Sequence, residues 1–292
     1  MIVLRFTSGL GNQMFQHMFY LYLKEHYKEH EVKADLTWFN WHNEHQGYEL
    51  LRVFNIKMNE ASRSEVLKVS GVLPQDFPGA YYVNRVIRLF TEKKTKPFIV
   101  DEIPPGYMLD KEKNWYIRGF YTSEVYYRDY LHKMDTVFDF PDEETMGVKE
   151  AADEIRACES VSVHVRRGDY LSPVYDGKFI NLDDGYYKRA VDNVTAKYPD
   201  AHFFIFSDDK EYVEKSFNWL EKKSIVTGND GRDSYKDMYL MSICRHNIIA
   251  NSTFSTWGAL LNKNENATVI YPKEYLKDSE SEEKNISGWV RI

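Results

Sequence analysis

Four polar side chains that are costly to bury unpaired, His164, Arg166, Arg167 and Asp169, close the run VSVHVRRGDY at residues 161–170. The first half of the run reads as a strand, and alternate strand residues share a face. Val161, Val163 and Val165 then point one way. Ser162, His164 and Arg166 point the other, before the chain leaves the sheet at Gly168. A guanidinium grips a phosphate through a bidentate fork, and ligands of open α/β sheets sit beyond the carboxyl ends of strands. His164 and Arg166 are therefore candidates for an anionic ligand. For Arg167 and Asp169 the plainer reading is an ion pair with each other.

Three further stretches place polar groups where a strand gives way to a helix. In TSGLGNQMFQ (7–16), Gly9 and Gly11 open a helix directly after a strand. Free N–H groups and a partial positive charge at such a start hold phosphates, and glycine lets backbone approach a ligand. Asn12 is open to two readings, a ligand contact or a helix cap. In FFIFSDD (203–209) a buried strand ends in Ser207, Asp208 and Asp209. One aspartate is expected to cap the next helix, and the other is placed to accept hydrogen bonds from a base or ribose. In NIIANSTFSTWGALL (247–261) a strand runs into Asn251, Ser252, Thr253 and Ser255. Those groups form a second anion-ready helix start, and a helix cap in any case.

One competing pattern is HYKEH (26–30), which matches the H-x-x-E-H zinc-peptidase spacing through His26, Glu29 and His30. It lies at the charged end of a predicted helix over 12–29 with no third ligand in view, so a solvated helix end is the sober reading. No Asp-x-Asp occurs in the chain, so a metal-dependent sugar-nucleotide site of that kind lacks its usual ligands.

The elements that must position these groups follow a strand–helix rhythm. Apolar, β-rich runs fall at 161–165, 203–206, 224–227, 247–250 and 268–271, with helical segments at 184–197, 209–220, 234–243 and 255–262. That alternation argues for a parallel sheet covered by helices, with strands buried on both faces. MIVLRF at the start and NWYIRGFY at 114–121 add strand character to the first half. Residues 36–113 read as irregular α/β with long loops. The acidic stretch 139–154 marks the expected boundary, giving domains 1–150 and 151–292.

Composition narrows the class. With 38 basic and 45 acidic residues the net charge is −7, against a general nucleic-acid binder. Two cysteines, Cys158 and Cys244, are too few for a disulfide framework and are expected to be reduced thiols. No stretch approaches roughly 18 consecutive apolar residues, so no membrane span is expected. Without an apolar leader, the expectation is a cytoplasmic protein, or one peripheral at the inner face of the membrane.

Taken in order, GLGNQMFQ, GFYTSEVYY (119–127), HVRRGDY, FFIFSDD and NSTFSTWGA resemble the α-1,2-fucosyltransferases of glycosyltransferase family 11. His17 stands where Tyr is common in that family, and Thr256 where a second Trp often precedes Trp257. The resemblance implies a GT-B-like α/β architecture of two Rossmann-like domains facing a cleft, the first carrying the acceptor and the Gly9–Gly11 loop. It implies transfer of L-fucose from GDP-fucose to the 2-hydroxyl of a terminal galactose, with inversion and without metal or other cofactor. His164 would contact guanine, Arg166 the β-phosphate, and Asp208 or Asp209 the base. Ser252, Thr253 and Ser255 would touch phosphate, and Gly9, Gly11 and Asn12 would line the donor. Arg166, Asn12 and Asp169 are the catalytic candidates, Asp169 as a possible base or merely the partner of an arginine. The rival readings are a GDP-sugar-binding protein without catalysis and the zinc peptidase of His26, Glu29 and His30.

Overall fold

The computed structural model describes residues 1–42, 45–74, 79–91, 99–100, 103–171, 179–274, 286 and 288–292. It divides into two compact units, Met1–Met134 and Asp135–Ile292.

The N-terminal unit begins with β1 (Ile2–Arg5), α1 (Leu10–His26) and β2 (Val32–Asp35). Short helices α2 (Leu50–Phe54) and α3 (Arg63–Ser70) follow, then α4 (Ala80–Thr91), β3 (Ile99–Val100) and β4 (Trp115–Ile117). Among the described residues its four strands are parallel in the order β2-β1-β4-β3. One face packs Val3 and Tyr116 on Val66 and Val69 of α3. Helix α1 is buried on most sides, so it cannot survive on an amphipathic stripe alone. Its polar Gln13 and Gln16 are fully buried and matched. Gln13 Nε2 donates to the carbonyls of Ser8 and Gly47 at 2.8 Å each, and Gln16 Nε2 to that of Gly119 at 3.0 Å. Among its described residues, the region expected to be irregular thus contains three helices and an edge strand. Their apolar periods are short, and α2 and α3 are stopped by Asn55 and Gly71 in the left-handed region, at φ 55° and 67°.

The C-terminal unit starts earlier than residue 151. Helices α5 (Met134–Val137), α6 (Glu143–Met146) and α7 (Lys149–Arg156) lead into β5 (Ser160–Val165). The acidic stretch is not a linker, because it packs on its own unit. Glu143 accepts from Arg156 and Tyr239, and Phe138 meets Trp257 edge-on with ring centroids 5.0 Å apart. After β5 come α8 (Asp184–Lys197), β6 (His202–Ser207), α9 (Lys210–Ser216), β7 (Lys223–Ile225) and α10 (Tyr235–Ser242). The unit closes with β8 (His246–Ile248), α11 (Thr253–Leu260), β9 (Val269–Tyr271) and β10 (Val290–Arg291). All pairings are parallel, in the order β10-β9-β8-β5-β6-β7. Counted within the unit this is 3-2-1-4-5-6 reversed, the Rossmann order, whose switch point lies between β5 and β8.

Strand β5 is buried at every residue, and its two faces differ as the alternation predicts. Val161, Val163 and Val165 join Tyr187, Ala190 and Val191 of α8 in one apolar cluster. On the other face Ser162 accepts from Asn247 Nδ2 at 2.7 Å, which also reaches the Met241 carbonyl at 2.8 Å. Buried polar groups are tolerated when they are hydrogen-bonded. Gly258 of α11 lets that helix lie close to α10, since an added Cβ would sit 3.0 Å from Met241 Cβ. Cys158 and Cys244 are free thiols. Among the described residues no helix is long and apolar enough to cross a membrane.

Candidate active site

In the C-terminal unit the exits of three adjacent strands supply the expected residues. Arg166 and Arg167 follow β5, Asp208 and Asp209 follow β6, and Asn251 to Ser255 follow β8. Arg166 Nη1 lies 2.9 Å from Asp208 Oδ2, and the Arg167 backbone N–H donates to Asp208 Oδ1 at 2.9 Å. Asp209 accepts from Tyr212 N at 3.0 Å as the cap of α9, and from Arg167 Nε at 3.2 Å. Arg167 is therefore paired with Asp209. Its guanidinium also covers the Tyr212 ring at 3.6 Å. The side chain of Asp169 lies outside the described residues.

His164 is 4% exposed on the polar face of β5, and its Nδ1 has no hydrogen-bond partner among the described residues. Burial, with the charge of Arg166 beside it, pushes its pKa down to about 3. The ring is neutral at pH 7, a donor and acceptor rather than a cation. Tyr187 OH donates to the His164 carbonyl at 3.2 Å and fixes the strand beneath it.

The β8 exit is held mostly to itself. Ser252 Oγ accepts from Phe254 N at 3.3 Å and caps α11. Ser255 is fully buried, and its hydroxyl donates to Ser252 O at 3.3 Å. That hydroxyl braces the turn. Thr253, at the first position of α11, is half-buried. Tyr170 ties this exit to the first, its hydroxyl donating to Asn251 O at 2.8 Å and its ring 5.8 Å from the Arg166 guanidinium. Tyr170 went unread in the sequence. Its place two residues after Gly168 in the strand-exit turn was the available signal.

Asp237, at the start of α10, was also missed. Its carboxylate accepts from Asn229 Nδ2 at 2.7 Å, and burial raises its pKa to about 7. Nothing in the sequence marks it, because burial is a tertiary property.

Gly9, Gly11 and Asn12 belong to the N-terminal unit. Gly9 is the N-cap of α1, so Asn12 sits inside the first turn and is not the cap. The turn enters through Ser8 at φ 68°. A Cβ on Gly9 would come within 3.2 Å of the His45 ring, which explains the glycine by packing. Gly11 is buried within the helix. The zinc-peptidase pattern dissolves, because α1 ends at His26 and the rest of the pattern follows in a turn. His26 Nδ1 pairs with Tyr22 O at 2.9 Å, Glu29 with Lys111 at 3.2 Å, and His30 Nδ1 with the N-terminal amine at 2.9 Å. Among the described residues no group of three or more His, Cys, Asp or Glu could hold a metal ion.

The model of glycosyl transferase family 11 matches residues 1–292. An α-1,2-colitosyltransferase of Escherichia coli is 30% identical over all of this chain and 98% of its own length. Galactoside 2-α-L-fucosyltransferase Sec1 of Mus musculus is 36% identical over 35% of this chain and 28% of its own. Among solved structures, fucosyltransferase NodZ from Bradyrhizobium superposes with a TM-score of 0.52 at 15% identity, over 89% of this chain and 91% of that one. At that identity the likeness speaks for the fold alone, an α/β fold of the GT-B type.

Proposed function

The chain belongs to glycosyltransferase family 11, and from that membership we propose that it transfers L-fucose from GDP-fucose to the 2-hydroxyl of a terminal galactose, with inversion and without a metal. The observation that carries this reading is Arg166 at the β5–β8 switch point, aligned by Asp208. Breaking the sugar–phosphate bond leaves added negative charge on the departing GDP. Fixed donors aimed at that charge lower the barrier, and Arg166 with the start of α11 supplies them. His164, neutral and with a buried Nδ1 that has no partner among the described residues, is suited to a hydrogen bond with guanine. Asp208 aligns Arg166, which leaves base recognition to the groups around it. The N-terminal unit, with the Gly9–Gly11 turn and Asn12, carries the acceptor. A carboxylate within hydrogen-bond reach of the acceptor hydroxyl would take its proton, with Asp169 as the candidate.

A second donor has a specific observation in its favour. The whole-chain match to an α-1,2-colitosyltransferase supports GDP-colitose, whose sugar lacks the 3-hydroxyl of fucose. Mass spectrometry of products from a panel of galactosides incubated with each donor decides between them. Fucosylated product with an α-1,2 linkage is the expected result. Colitosylated product alone would replace the donor, and tight GDP-sugar binding with no product from either would leave only a binding protein.

A further inference from the structure

The ladder between β5 and β8 pairs Val161 with His246, Ser162 with Asn247 and Val163 with Ile248, and stops there. On its other edge β5 stays paired with β6 for two residues more, to Val165 opposite Ser207. The residue after β8 is likewise held by its outer neighbour, Ile249 N donating to Ile270 O at 2.9 Å. Strands β5 and β8 therefore part at His164 and Ile249, which are level with each other. That parting opens the switch point, where open α/β sheets bind ligands.

Two consecutive tyrosines of α8 reach the parting strands. Tyr187 OH donates to His164 O at 3.2 Å, and Tyr186 OH to Ile249 O at 2.6 Å. Each wall of the crevice thus hands one carbonyl to one hydroxyl. Successive helix residues diverge by about 100°, which lets neighbouring side chains serve two different strands. Tyr186 and Tyr187 are 3% and 1% exposed, and their rings meet edge-on with centroids 5.1 Å apart. Burial pushes the Tyr187 phenol above its ordinary value, so the hydroxyl keeps its proton and stays a donor. Both rings belong to the apolar cluster on the valine face of β5, opposite the face that carries the His164 side chain. Phenylalanine would fill that cluster as well. What the hydroxyls add is a buried donor for each carbonyl, at the level where the ladder ends.

The two carbonyls sit just ahead of the groups expected to meet the donor. His164 lies two residues before Arg166, and Ile249 three before Ser252, the cap of α11. We propose that Tyr186 and Tyr187 are positioning residues that hold the two walls of the donor crevice at their working separation. The Tyr187 hydroxyl seats His164 and Arg166, and the Tyr186 hydroxyl seats the turn into α11. Both act from behind the crevice, through the backbone. This rests on the reading of the switch point as the GDP-sugar site.

The test is isothermal titration of the whole chain with GDP, beside thermal melts, for the parent, Tyr186→Phe, Tyr187→Phe and the double variant. Each single variant should remain folded at the titration temperature and bind GDP at least about threefold more weakly. The double variant should bind more weakly than either. A purely structural brace would lower the melting temperature and leave the affinity of the folded protein unchanged, and that result would overturn the proposal. Hydrogen exchange on the parent serves if the variants fail to fold. GDP should slow exchange of the α8 amides at least about threefold although α8 lies behind the crevice, and exchange there indifferent to GDP would overturn the proposal too. Failure of the donor reading shows separately. A parent that does not bind GDP removes the site itself, whereas a parent that binds GDP no more tightly than its phenylalanine variants removes only the role of the tyrosines.

Discussion

Arg166 and Asp208 stand 2.9 Å apart across the exits of two neighbouring parallel strands, and Asp208 also accepts the Arg167 N–H from its other oxygen. One carboxylate thereby sets the direction of the arginine and closes the turn that carries it. Both side chains remain about a quarter exposed, 24% and 27%, so the pair contributes little to stability and much to orientation.

Replacing Arg166 should therefore cost rate and not fold. Arg166→Ala is expected to lower kcat by about 10²–10³ with a nearly unchanged melting temperature. Arg166→Lys should recover only part of the loss, because an ammonium cannot reproduce the fork. Transfer at the normal rate by the alanine variant would remove Arg166 from the chemistry.

Gly168 tests the same geometry from the backbone. A Cβ there would meet Asp208 Oδ2 at 2.9 Å and Cγ at 3.1 Å, and the carboxylate would have to turn from Arg166. Gly168→Ala and Asp208→Asn should each raise the donor KM and lower kcat. The double variant should be no worse than the poorer single one, the mark of a shared route. Steady-state kinetics on the four proteins reads this, and additive losses would contradict it.

Acid should weaken both units. Buried His164 and His17 have pKa values pushed down to about 3 and about 4, from 6.5 in the unfolded chain. The unfolded state takes up protons first, so stability falls as pH drops below about 6.5 and continues to fall toward 4. Each histidine contributes a slope of up to about 1.4 kcal/mol per pH unit. Urea unfolding at stepped pH should show a shallower slope for His164→Asn and for His17→Phe.

Asp237 works in the opposite sense. Burial raises its pKa from 3.8 to about 7, so the folded state holds the proton longer and stability declines as pH rises through that window. Above about 7 the effect is fully present. Asp237→Asn keeps an oxygen for the Asn229 amide and should be more stable than the parent at pH 8, with no advantage near pH 4. Thermal melts at the two pH values check it.

The metal-free scheme has a direct check. Activity in excess EDTA should equal that in buffer, and a loss that Mg²⁺ restores would refute it.

The α/β class, the strand core of the C-terminal unit and the polar strand exits were legible in order along the chain. A buried parallel strand needs an unbroken apolar run, and a strand exit announces itself where that run stops. Helix α8 falls on its expected residues, 184–197, because its apolar period and the Asp183 cap agree. The pairing of Arg167 with Asp209, the inward hydroxyl of Ser255 and the unit boundary at Met134 were not legible. Each depends on which strands lie side by side, and local sequence carries no record of that. Residue types along the chain determined what chemistry was on offer. Strand order, by bringing distant exits level, decided which groups meet, and burial decided which of them are charged.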